Sequence, residues 1–154
     1  MKKEVLPVQG HRVLPKKEAA VAILTKFRSI AEEPYRVFFP LAIAWGMIGI
    51  GHWFFYAMGW IPAYSMTLHS AIQTQAYMGS FIFGFLLTAI PRFSSSFPAT
   101  LAEFLIFLIL MCLMVIFYIK GFWLHGRLCG LALFIVFPIF AVRRFSAKKK
   151  GNVS

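Results

Sequence analysis

The sequence contains no aspartate, and its five glutamates leave it poor in acidic groups. Glu103 is the only glutamate beyond residue 33. This scarcity argues against catalysis by paired carboxylates and against proton relays through buried acids. The chain also lacks a phosphate-binding loop, a dinucleotide fingerprint, a Gly-x-Ser-x-Gly elbow and a His-Glu-x-x-His motif. No common catalytic class is indicated, and the sequence leaves enzymatic activity open.

Cysteine is scarcer than the acidic residues, with only Cys112 and Cys129 present. Both lie inside long apolar runs. Two isolated thiols form neither a disulfide framework nor a paired-cysteine metal site. We interpret them as small apolar side chains in helix packing.

Charged residues make up 14% of the chain and hydrophobic residues 60%, whereas soluble domains carry about 25% charged residues. The apolar residues form four runs, each close to the ~20 residues that cross a bilayer. These runs extend from about Phe38 to Trp60, Ser70 to Ile90, Leu101 to Ile119 and Phe122 to Val142. The sequence therefore predicts an all-α integral membrane protein with four transmembrane helices over residues 34–142, a cytoplasmic segment over 1–33 and a basic cytoplasmic tail over 143–154.

Positive charge dominates, with a net charge of +11. Eight Lys and Arg residues precede the first run, Arg92 lies between runs two and three, and five follow run four. Only Lys120 and Arg127 fall near the turn between runs three and four. This distribution is typical of the positive-inside rule and argues against nucleic-acid binding. We predict a multi-pass protein of the cell inner membrane with both termini in the cytoplasm.

Apolar residues also recur at helical spacing between residues 16 and 33, among basic side chains. This pattern predicts an amphipathic helix that lies on the membrane surface, binds anionic lipids and ends before Pro34. A solvated helix without lipid contact is the alternative.

Polar and small residues form a stripe down the second run. They are His69, Gln73, Tyr77, Ser80, Gly84 and Thr88. Polar side chains in a membrane normally face the bundle or a cavity, so the stripe predicts an inward face with His69 as a candidate ligand. His52, deep in the first run, is a second candidate ligand, whereas we interpret His125 as a residue at the membrane interface. The alternative is that the stripe provides hydrogen bonds between helices and binds nothing.

Two segments, PYRVFFP at residues 34–40 and GFLLTAIPRF at residues 84–93, resemble the NnrS family of bacterial inner-membrane proteins, as does the histidine at the start of the second run. The resemblance implies haem or copper binding and a link to the response to nitric oxide. The family pattern Trp-His-Ala-His-Glu-Met places its first histidine on His69, but its second falls on Ala71 and its methionine on Gln73. The resemblance also marks Tyr35, Arg36 and Pro91 as motif residues, and Arg36 is in addition expected to anchor at the interface.

Two hypotheses follow. The first is a short or truncated NnrS-like protein that binds haem, copper or both through His69 as metal ligand, with His52 and Gln73 as further cofactor-binding residues. The second is an accessory or scaffold subunit without a cofactor. In either case we expect the lipid bilayer as the environment, with a homo-oligomer or a membrane partner subunit to complete the assembly.

Overall fold

The computed structural model describes residue 25 and residues 29–151, with side chains as far as residue 146. Four helices in this part of the chain are long and apolar enough to cross a membrane, and no strand occurs in it. The prediction of an all-α integral membrane protein with four spans is confirmed. Most of the predicted surface helix over 16–33, with its anionic-lipid contacts, lies outside the described residues. Residues 29–32 are helical, and the helix stops at Glu33.

The first span is helix α1, Tyr35–Ala57. The second has three consecutive parts: helix α2, Met66–Ala71, a π-helical segment, Ile72–Met78, and helix α3, Gly79–Phe93. The third is helix α4, Leu101–Ile119, and the fourth lies within helix α5, Trp123–Gly151. The third span has the predicted bounds, whereas the second begins several residues before the predicted start.

Local capping explains where the second and third spans begin. Ser65 lies just before α2, and its hydroxyl accepts a hydrogen bond from the N–H of Leu68 at 3.2 Å, so the polar residues that follow belong to the helix. Thr100 and Glu103 form a capping box at the start of α4, which satisfies two N–H groups that the helix itself leaves free.

The chain reverses direction after α1 and after α4, and each reversal uses a glycine with positive φ. Gly59 has a φ of 72° and Gly121 a φ of 77°, a region that side chains with a Cβ rarely adopt. The spans therefore form two antiparallel hairpins. In the first, α1 packs along the π-helical segment and α3, and in the second, α4 packs along α5.

Aromatic and sulfur-containing side chains fill the contact between the hairpins. The rings of Phe83 and Phe107 lie 5.2 Å apart between centroids, and Phe107 meets Phe140 at 6.2 Å. Met111 and Met114 are buried beside them. The outward faces of all four spans carry exposed large hydrophobic residues, as a surface in contact with lipid requires.

Candidate functional site

The predicted polar stripe lies against α1, where two glycines make room for it. A Cβ placed on Gly49 would lie 3.0 Å from the amide of Gln73, and one on Gly46 would lie 2.8 Å from the ring of Tyr77. Gln73 donates a hydrogen bond of 3.4 Å to the carbonyl of Gly46. Close approach at small residues and polar bonds between helices are how membrane helices associate. Gln73 and Tyr77 therefore serve the contact between the first two spans.

The π-helical segment follows His69 almost directly. It covers seven residues, Ile72–Met78, between α2 and α3. π-Helical turns inside α-helices are rare and occur often at functional sites. Here the segment separates the end of the span that carries His69 from the end that packs tightly through α3.

His69 is held by the backbone of the first span. Its Nδ1 lies 2.9 Å from the carbonyl oxygen of Gly49. Because a carbonyl only accepts, Nδ1 must carry the proton, which leaves the lone pair of a neutral ring on Nε2. The side chain is half-buried, and no hydrogen bond occupies Nε2 in the described part of the chain. Metal-binding histidines are usually oriented in this way by a backbone carbonyl.

His52 lies near His69 but has a different arrangement. Its Nε2 accepts a hydrogen bond of 3.0 Å from the N–H of Ser65, just before α2. Tyr64 stacks on His52 with centroids 5.3 Å apart and contacts His69 at 6.0 Å. The structure thus brings both predicted histidines to one end of the bundle, with Tyr64 against each of them. The hydrogen bond from Ser65 occupies Nε2 of His52, the nitrogen with which this ring could bind a metal. The hydrogen bond of His69 is made by Nδ1 and leaves its Nε2 available.

His125, the third histidine at this end of the bundle, does not contact His52 or His69 through Tyr64. His125, in the first turn of α5, is exposed, and its ring contacts Phe117 at 5.4 Å and Phe122 at 5.9 Å. The described residues contain no group of three or more His, Cys, Asp or Glu that could hold a metal ion. A closed site made of several ligands is therefore absent from this part of the chain.

The two motif segments meet at the opposite end of the first hairpin. A Cβ on Gly84 would lie 2.7 Å from the Cβ of Phe38, so the glycine allows α1 and α3 to touch. The N–H of Tyr35 donates to the hydroxyl of Thr88 at 3.4 Å. Glu33 pairs with Arg36 and, at 3.3 Å, with Arg92. In this structure the motif residues hold the first two spans together.

The sequence analysis missed the most strongly bonded polar group of the described chain. Glu103 accepts from Arg144 at 2.7 and 2.5 Å and from Arg143 at 3.0 Å. We had assigned both arginines to the basic tail, but they belong to α5, and the side chain of Arg144 is completely buried. The threonine three residues before Glu103 was the available signal, because this spacing marks a capping box.

Four helices of the described residues are long and apolar enough to cross a membrane, and they define a multi-pass membrane protein of the helical-bundle class. The model of the NnrS family, described as NnrS protein, matches residues 29–154. The chain belongs to the NnrS family, and the resemblance drawn from its two motif segments is confirmed. No curated protein and no solved structure matches it.

Proposed function

We propose that this protein binds haem in the bacterial inner membrane, with His69 as the residue that would hold the iron, and acts in the response to nitric oxide. The observation that carries the proposal is the hydrogen bond from Nδ1 of His69 to Gly49 at 2.9 Å. It fixes the tautomer, orients the ring and leaves Nε2 available as a donor to iron. The motif that places a histidine here in the family supports the same residue.

The donor set favours haem over a copper ion. A porphyrin supplies four nitrogens, so one protein histidine is enough to hold the iron, as it is in globins. Copper needs several protein donors, and the described residues contain no such group. Copper remains the second choice, with donors supplied from outside this part of the chain or by a second copy.

The residues near His69 define what the chain itself would contribute. Gly49 holds the imidazole, and Tyr64 presents an aromatic ring beside it. Gln73 is engaged with Gly46, so we give it a role in packing behind the ligand. Haem bound through one histidine would supply an iron with an open coordination position for a diatomic gas. Two cavities of about 420 and 200 Å³ do not include His69, so the fit rests on the donor chemistry of this residue.

The second candidate function is a scaffold or accessory subunit without a cofactor. It is favoured because residues of the polar stripe pack against the first span. Gln73, Tyr77 and Thr88 all contact α1 or its backbone. On this proposal the hydrogen bond of His69 is one more contact between spans, of the kind worth about 0.6 kcal/mol.

Absorption spectroscopy with haem and metal analysis tests the two functions. The full chain is expressed with ample haem and purified in mild detergent, as wild type and as His69→Ala, His52→Ala and His125→Ala. We expect a Soret band in the wild type that His69→Ala loses and the other two variants keep. His125→Ala is the matched control, because it removes an exposed histidine at the same end of the bundle. A wild type without haem or metal would favour the scaffold. A folded His69→Ala variant that keeps the wild-type haem or metal content would refute the assignment of the ligand to His69.

A further inference from the structure

A groove opens towards the lipid between the first turns of α1 and the last turns of α3. Its lining residues are Tyr35, Phe39, Phe85, Thr88, Ala89, Arg92 and Phe93. The groove has a volume of about 420 Å³, and binding sites for small molecules range over about 300–1,000 Å³. We call it the Arg92 groove. It lies at the end of the bundle opposite His69, and none of its lining residues is a histidine, a cysteine or a methionine.

The walls of the Arg92 groove are apolar. The hydroxyl of Thr88 accepts from the N–H of Tyr35 at 3.4 Å and donates to the carbonyl of Gly84 at 2.9 Å, so its hydrogen-bonding groups are used. Phe85 and Phe93 are 55% and 76% exposed, which keeps the groove open on the side facing lipid. An apolar groove of this kind favours binding of a hydrocarbon chain.

The mouth of the groove is positively charged. Arg92 lines it and is 65% exposed at its side chain. Its counter-ion Glu33 also pairs with Arg36, so one carboxylate serves two guanidinium groups and a positive charge is left over. An arginine fork binds phosphate oxygens bidentately, and Arg92 has donors beyond the one that meets Glu33. The last turn of a span is the depth at which lipid headgroups lie.

We propose that the Arg92 groove is a binding site for an anionic phospholipid, with its phosphate at Arg92 and an acyl chain along Phe39 and Phe85. The positive charge at the mouth would bind the headgroup of the lipid, and the apolar wall would bind its acyl chain. A lipid held here would bridge the ends of α1 and α3, where Glu33 already joins them.

Native mass spectrometry of the full chain in neutral detergent tests the proposal. Wild type is titrated with phosphatidylglycerol, with phosphatidylcholine, and with phosphatidylglycerol in the presence of inorganic phosphate. We expect selective binding of phosphatidylglycerol that millimolar phosphate does not displace. Arg92→Gln should weaken that binding about tenfold, since it removes a charge-assisted bond. Ala89→Leu should weaken it by filling the groove while every charge stays in place.

The control is Arg127→Gln, which removes an exposed arginine at the other end of the bundle and should leave lipid binding unchanged. Equal binding of the two lipids by wild type would overturn the proposal without reference to any variant. Displacement by phosphate alone would show that the acyl chain contributes nothing, and would overturn it as well. So would retention of phosphatidylglycerol by both folded groove variants, with circular dichroism as the check on folding.

Discussion

Replacing Glu103 by glutamine tests the ion pair that closes one end of the second hairpin. The carboxylate is 12% exposed at its side chain and Arg144 is 0% exposed, so neither charge has water to replace its partner. Arg144 is further enclosed by the rings of Phe140 and Phe97, at 3.7 and 4.6 Å from the guanidinium carbon. Glutamine keeps the capping box of α4, because an amide serves at that position. The substitution therefore isolates the loss of charge.

The expected cost is large because the arginine is left buried without a counter-ion. Breaking a buried pair by removing one partner costs about 3–5 kcal/mol. The neighbouring bond from Arg143 to the same carboxylate gives the comparison, since Arg143 is 58% exposed and exposed pairs contribute about 0–1 kcal/mol. We expect Glu103→Gln to destabilise several times more than Arg143→Gln.

Reversible unfolding in mixed micelles, followed by far-ultraviolet circular dichroism, measures both changes. The double variant Glu103→Gln with Arg144→Met removes both charges of the buried pair. Its loss of stability should be smaller than the summed losses of Glu103→Gln alone and Arg144→Met alone, because no lone charge remains. Losses that add, or a Glu103→Gln variant no less stable than Arg143→Gln, would refute the reasoning.

Two further predictions concern packing and orientation. Gly84→Ala should destabilise the first hairpin by about 1–3 kcal/mol through overpacking, because its new Cβ would lie 2.7 Å from the Cβ of Phe38. Gly51→Ala is the matched control in the same unfolding assay, since its Cβ would meet only Phe55 at 3.6 Å, and equal losses would contradict the argument. A reporter active only outside the cytoplasm and fused to Ser154 should be inactive if both termini lie in the cytoplasm, as the positive-inside rule predicts. Strong activity would reverse the orientation.

The four spans could be predicted from the sequence because bilayer thickness sets the length of an apolar run, and no tertiary contact is needed to see it. The third span was correct at both ends, Leu101 and Ile119. The start of the second span was missed because a hydropathy pattern assigns polar residues to a loop. The cap at Ser65 makes them helical, and His69 stays in the span through its bond to Gly49.

The candidate site was predictable only as a list of residues. Helical spacing placed His69 and Gln73 on one face, and both do lie against the first span. Spacing carries no information on which nitrogen of a histidine is used, and the bond from Ser65 to His52 depends on how the connection after α1 folds back. The π-helical segment also has no signature in hydrophobic periodicity. The pairing of Glu103 with Arg144 joins residues far apart in the chain, so local pattern cannot reveal it.

The two ends of the bundle are held by different forces. All four ion pairs of the described residues involve Glu33 or Glu103 and lie at the end where α1 begins and α3 finishes. At the other end, the contacts of His52 and His69 and the hydrogen bond from Tyr118 to Gln75 join the helices without an ion pair among the described residues. The ion pairs therefore hold together the end where α1 begins, and the end that carries His69 depends on hydrogen bonds and packing. Local opening should start at the end without these ion pairs, so a molecule that reaches His69 from the membrane surface would not have to break one of them.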